Sequence, residues 1–348
     1  LDQAVLPTQD YSRYSLNGSV DQQIGKYIRI GMTTNTSYSQ NHGNNVGLYS
    51  ALSKSPLVNP YNEDGTLNTD LAWDLNNPLY EATLGSFSKK GTRTLSNSSD
   101  LRWDINKMFL VTGHFNVSSD MGSNDIFTSP NSLVYKDVTE LAKKGQYTKG
   151  MSQGISYNGN LVGTFNKFFE DESLVSLSTG WEINYAKSST ETIQAVGFFN
   201  DHLSYIGNAV NYPASSKPYG SQSETADVGF FVTGNTSWRN RYFADATWRT
   251  TGSSQFGENN RFGHFWSGGL GWNVMNEPFM KDIKKHFDVF KVRGSSGYTG
   301  KVSFSPFQAM TMYQYLNDYE YKNGIGAIPV TIGNVDLTWE RTMNYNVG

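Results

Sequence analysis

Val175-Ser176-Leu177-Ser178-Thr179-Gly180-Trp181-Glu182-Ile183-Asn184-Tyr185 decides how this chain is read. Every second residue is apolar or large, and the residues between are small or polar. Side chains on a strand point alternately to its two faces, so this segment has one oily face and one wet face. The same period returns in Phe109-Val111-Gly113-Phe115-Val117, in Val228-Phe230-Val232-Gly234-Thr236-Trp238, and in Phe262-His264-Trp266-Gly268-Leu270-Trp272-Val274. About eleven such segments can be counted, over 11–20, 26–39, 92–105, 107–119, 150–166, 172–188, 223–238, 241–253, 261–275, 286–299 and 335–347.

Composition narrows the class. In 348 residues, 37% are hydrophobic yet 14% are aromatic, which suits many half-buried strands better than a thick aliphatic core. Lys and Arg total 28 against 31 Asp and Glu, a net charge of −3, so an electrostatic nucleic-acid binder is excluded. There is no cysteine, hence no disulfide framework, thiolate metal site or cysteine nucleophile. No run of about 18 apolar residues could form a spanning helix. The chain opens at Leu1 without a signal-peptide pattern and closes at Gly348 inside a strand-like segment, the look of an internal piece of a longer protein.

Most segments reach ten residues, longer than the usual soluble strand of about 5–6 and close to the 9–11 that a tilted bilayer-crossing strand needs. Short connections (21–25, Asn106, 167–171, Arg239-Asn240) alternate with longer ones (40–91, 120–149, 189–222, 300–334), while 254–260 is intermediate. Connection 276–285 reads as a helical turn started by Pro278. Antiparallel strands place alternate connections at opposite ends, so one end has tight turns and the other large loops, as in outer-membrane barrels. The expected fold is all-β: about eleven antiparallel strands forming part of a large transmembrane β-barrel with long extracellular loops.

One block carries more than pattern. Arg241-Tyr242-Phe243-Ala244-Asp245-Ala246-Thr247-Trp248-Arg249 leads through Gly252-Ser253-Ser254-Gln255-Phe256-Gly257 to Asn260-Arg261-Phe262-Gly263, then Gly271-Trp272-Asn273 and Glu277-Pro278-Phe279-Met280. Lys291-Val292-Arg293-Gly294-Ser295-Ser296-Gly297-Tyr298, Phe304-Ser305-Pro306-Phe307-Gln308-Ala309 and Gly333-Asn334-Val335-Asp336-Leu337-Thr338-Trp339-Glu340 follow in order. Residues 241–348 closely resemble the SusC/RagA family of TonB-dependent outer-membrane transporters; 1–240 fit by pattern. The resemblance implies a plugged 22-stranded barrel in the outer membrane of Bacteroidetes. Such a barrel imports oligosaccharides or peptides under a SusD-like surface lipoprotein, with energy from the TonB complex. On this reading residues 1–348 are the central barrel segment. The plug, the TonB-contacting N-terminal part and the C-terminal strands would lie outside them.

Site expectations follow from the two faces. Asp245 and Arg249 share one face and are placed in a polar lumen, paired with each other or across strands, because charges facing lipid cost about 2–4 kcal/mol near the midplane. Trp181, Tyr185, Trp238, Trp248 and Trp272 are candidates for aromatic girdles where the oily face meets the membrane surfaces. The long loops hold Tyr61, Trp73, Tyr80, Tyr205, Tyr212 and Tyr315. Their rings could stack on sugars, dock a partner protein or pack within the loops.

Catalytic and cofactor chemistry is not found. The five histidines have no metal-site spacing, and Gly294–Lys301 fails as a phosphate loop because position 295 is Ser and 302 is Val. Glu170-Asp171-Glu172 reads as a solvated turn, and Asn62-Glu63-Asp64-Gly65 lacks a full calcium ligand series. No enzyme, metal or cofactor is expected. The rival readings are a secreted, soluble glycan-binding or adhesive module and a simple diffusion porin.

Overall fold

A computed structural model describes residues 9–44, 58–71, 76–213, 217–281, 286–321 and 324–348. Each of the eleven alternating segments is a strand. They are β1 (Asp10–Ile24), β2 (Ile28–Gly43), β3 (Phe87–Asp104), β4 (Phe109–Thr128), β5 (Gln146–Phe168), β6 (Leu174–Val196), β7 (Tyr219–Trp238), β8 (Tyr242–Ser253), β9 (Phe262–Asn273), β10 (Lys291–Lys301) and β13 (Glu340–Val347). All pair antiparallel with their neighbours in chain order, in one sheet β1-β2-β3-β4-β5-β6-β7-β8-β9-β10-β13. Two further strands, β11 (Met312–Tyr321) and β12 (Gly324–Thr331), make a separate hairpin inside the long connection 300–334.

The register fixes the faces. Ile30, Leu101, Gly113, Leu161, Trp181 and Phe230 stand directly opposite one another across β2 to β7 and so share one face. Asp100, His114, Asn160, Glu182, Gly229 and Thr251 form the matching row on the other. Among the described residues little covers the oily face: Trp181 is 65% exposed and Leu16 70%.

The tight turns lie at one end. Between β7 and β8, Arg239 and Asn240 both take positive φ (49° and 53°), and Arg241 N–H closes the turn on Trp238 O at 2.9 Å. Paired positive φ values match the right-handed twist of a hairpin. Pro278–Met280 forms the short helical turn expected there, although it is 3₁₀.

The expectation of a transmembrane barrel requires correction. The sheet is unclosed: β1 and β13 are its two edges and do not pair with each other. Only helices and closed barrels satisfy every backbone group inside lipid, and an open sheet leaves a row of free N–H and C=O groups on each edge. The alternation that prompted the barrel reading dictates which face a side chain takes. It is silent on whether first and last strands meet. Among the described residues no helix is long and apolar enough to cross a membrane. The architecture is one large open antiparallel sheet with a small two-stranded one.

The strands also run further than their oily pattern. β6 has 23 residues, but its apolar row ends at Tyr185 and continues as Lys187, Ser189 and Glu191. Beyond that level packing comes from the loops. Phe127, Tyr147 and Phe198 are buried together, with Phe87, Ile206 and Ala209 against them. Phe87, Phe127 and Tyr147 are cross-strand neighbours on the oily face, so the connection after β6 folds down over that face. On the polar face Phe265 is buried with Phe256 and Trp339, beside Val302 and Phe304.

Phe127→Ala should cost about 3 kcal/mol, the usual penalty for emptying an aromatic site. Hydrogen exchange should localise the loss to 129–145 and 197–218, leaving the β7–β9 ladder protected. Uniform loss across the sheet would contradict a separate rim core.

Candidate functional site

The polar face is built from short hydrogen-bonding side chains. Ser, Thr and Asn fill most of its positions on β2 to β7, with pairs such as Thr164–Ser178 (3.1 Å) and Thr233–Thr247 (3.2 Å) linking neighbouring strands. Some of its charges are paired. His114 Nδ1 lies 2.8 Å from Asp100 Oδ1, and Arg29 lies 3.4 Å from Asp21. Arg249 and Asp245 both stand on this face. Arg249 does not pair with Asp245: its guanidinium donates to Glu182 Oε2 at 2.5 Å and to Thr251 Oγ1 at 2.8 Å. Asp245 leans over Gly269, where an added Cβ would come within 2.6 Å of its Oδ1. Glu182 was invisible as the partner because it lies two strands away, and only the register brings it alongside.

The five aromatics expected at membrane surfaces all stand on the oily face. Trp238, Tyr242 and Trp272 form a row at the turn end, with centroids 5.6 and 6.5 Å apart. Trp181 packs on Phe230 at 4.7 Å and Trp248 on His264 at 5.9 Å, both further along the strands. Tyr185 stacks on Tyr157 at 4.7 Å where the oily pattern ends. Between these levels Gly113 and Gly159 floor an apolar groove of about 820 Å³.

Glu277 ties the turn end together. Its carboxylate is buried and accepts from Tyr242 Oη (2.6 Å), Trp272 Nε1 (3.0 Å) and Arg241 (3.5 Å). The Tyr242 hydroxyl, the Trp272 indole and the Arg241 charge outweigh burial and hold its pKa below the usual carboxylate range. A lowered folded pKa contributes stability above the unfolded value, near 4.5, and loses it as pH falls through the folded one. Glu277→Gln should therefore lower the unfolding temperature at pH 7, with the gap to the unmodified protein closing by about pH 3. A gap independent of pH would show that packing, not charge, makes the node.

The long-loop rim holds the candidate aromatics. Tyr61 is exposed and bridges to Leu67 in a small turn. In that turn Asp64, the residue considered for calcium, accepts from the Thr66 amide and hydroxyl (2.9 and 2.6 Å). Tyr80 lies on α1 (Pro78–Thr83), with its hydroxyl 3.4 Å from Asn131 O. Tyr205 and Tyr212 are exposed in the connection after β6, and Tyr315 is exposed on β11. Trp73 falls outside the described residues. Tyr61 and Tyr80 lie in one connection, Tyr205 and Tyr212 in a second and Tyr315 in a third. The segments themselves are tied: Asp201 accepts from Gly85 N (3.0 Å) and Ser129 Oγ, and Glu81 Oε1 from Leu133 N (2.7 Å). The fully buried Asn77 donates to Pro60 O and Asn68 O, both at 2.8 Å. The acidic turn is a structural joint, with Asp171 3.4 Å from Arg239, and Gly294–Lys301 lies within β10.

Comparison with known proteins adds the following. No family model matches the chain. It is 25% identical over 346 residues to the TonB-dependent receptor P39 of Formosa agariphila, covering 97% of this chain and 32% of that protein. It is 35% identical over 126 residues to the TonB-dependent receptor SusC of Bacteroides thetaiotaomicron, covering 35% of this chain and 12% of SusC. Among solved structures it superposes on the RagAB peptide importer in its closed-closed state with a TM-score of 0.79. The sequence identity there is 18%, over 97% of this chain and 38% of that one. The RagAB peptide transporter gives 0.76 at 17% identity, over the same shares of each chain. The chain thus spans about a third of the length of the curated relatives that match nearly all of it. In sequence the chain is thus similar to TonB-dependent receptors, and in fold to the RagAB importer. Those relatives are named as receptors and importers, not as enzymes.

Proposed function

We propose that this chain is a section of an outer-membrane-associated, TonB-dependent importer of large nutrients, with oligosaccharides as the first candidate cargo. The observation that carries the reading is the segregation of the two faces. One is hydroxyl- and amide-rich, with Arg249 paired to Glu182, a surface along which a hydrated cargo can pass. The other exposes Leu16, Leu161, Trp181 and Leu270, residues a protein surrounded by water would cover. The oily face is the side that meets lipid, with Trp238 and Trp272 at one border and Tyr185 at the other. Trp181 and Trp248 lie between those borders, within the oily field.

The rim belongs to partners. Its loops are pinned to each other and expose tyrosines, the composition of a surface that docks a protein. A SusD-like or RagB-like surface lipoprotein is the proposed occupant. Tyr61, Trp73, Tyr80, Tyr205, Tyr212 and Tyr315 are candidates for that contact or for cargo. Asp245 and Arg249 are proposed to line the cargo's side. The TonB complex is the proposed source of energy.

The complete protein should co-purify from native membranes with one surface lipoprotein. Its uptake of cargo should stop when the TonB complex is deleted. Uptake that persists without TonB would identify a diffusion pore instead, and a complete protein that is monomeric without detergent would identify a soluble module.

A further inference from the structure

The connection from β10 to β13 has a stem and an arm. The arm is the β11–β12 hairpin. The stem is closed by Met310 N to Phe307 O (3.0 Å), Gly333 N to Thr311 Oγ1 (3.1 Å) and Asn334 N to Gln308 O (3.4 Å). It is held against the β8–β9 connection by Gln255 to Phe304 O (3.2 Å), Asn259 to Asp336 Oδ1 (3.2 Å) and Asn260 to Asp336 O (3.1 Å). Gly257 permits the approach, because a Cβ there would come within 1.8 Å of Val335 O.

Between stem and connection lies a cleft of about 410 Å³. Phe307, Met310 and Val335 provide apolar wall, and Glu258 and Arg261 border it on either side of the 3₁₀ turn Glu258–Asn260. Neither Glu258 nor Arg261 forms an ion pair among the described residues, whereas Glu224, the third charge at the cleft, already binds Tyr185 (3.1 Å) and Lys187 (3.4 Å). Phe307 is held at φ 70°, a conformation a non-glycine residue adopts only when its surroundings impose it and one that gathers at ligand clamps. The cleft thus offers one unspent guanidinium, one unspent carboxylate and a strained aromatic against a preformed apolar wall.

We propose that this cleft is a rim subsite for the end of a short free peptide. A terminal carboxylate takes the Arg261 fork, a backbone or terminal N–H meets Glu258, and an apolar side chain lies on Phe307 and Met310. A neutral saccharide would leave both charges unmatched. The proposal rests on the import reading and narrows its cargo towards peptide.

The test uses the complete transporter purified with its partner, titrated with the tetrapeptide Ala-Leu-Ala-Leu, with its C-terminal amide and with maltotetraose. The free peptide should bind saturably, and amidation should weaken it by about tenfold or more. Arg261→Gln should abolish that difference. Phe307→Gly, which removes the ring at a φ that glycine adopts freely, should preserve thermal stability and weaken both peptides. The proposal fails if amidation has no effect, if its effect survives in Arg261→Gln, or if only maltotetraose binds. It also fails if the peptide binds only after the partner is removed, since the cleft would then be the partner's seat. The import reading is separable: peptide binding without TonB-dependent uptake overturns import and leaves the subsite, whereas uptake without peptide binding overturns the subsite alone.

Discussion

An unbroken antiparallel register is the constraint on which this molecule depends. From β1 to β10 each strand meets the next residue for residue, so a side chain's face on one strand fixes the faces of those opposite it. A slip of β6 by one residue would exchange its faces and place Glu182 between Leu161 and Phe230 while turning Trp181 to the polar side. Tight turns guard against this. The Arg239-Asn240 hairpin sets β7 against β8, and Glu277 gathers Arg241, Tyr242 and Trp272 so that β8 and β9 are gripped where their register begins.

The two aromatic clusters at the opposite end divide the work by face. Phe198 carries its connection onto the oily side, and Trp339 carries another onto the polar side. The first therefore bounds the oily surface, while the second narrows the space over β8–β10 and supports the stem beside the cleft. Among the described residues the buried Trp339 Nε1 meets no acceptor, and its ring is held by packing against Phe256 and Phe265.

Much of the sheet was legible because one face is oily: each segment from Tyr11 to Val347 announced itself by period 2. The parts that escaped have no such contrast. The far ends of β3 to β7 carry polar residues on both sides, as in Gln153 beside Ser152 or Ser189 beside Ser188, so alternation stops before the ladder does. β11 and β12 belong to neither face of the main sheet, and closure depends on contacts between first and last strands that no local pattern encodes. At the candidate site, the face taken by Asp245 and Arg249 followed from parity alone. The Arg249–Glu182 pair and the Glu258–Arg261 cleft needed three dimensions, since their members are neighbours only after the strands have lined up or the loops have folded.

The surplus length of β5 and β6 has one more consequence. With 23 residues each at about 3.3 Å, they reach roughly 75 Å, and only about half of that is greasy. Above the greasy half rises a hydrogen-bonded palisade, polar on both faces around Ser152, Gln153, Ser188 and Ser189 and capped at its tip by the buried Tyr147 and Ala195. A visitor arriving from the loop side meets this stiff fence well before it reaches the oily zone, and can be sorted by size at the parapet rather than at depth.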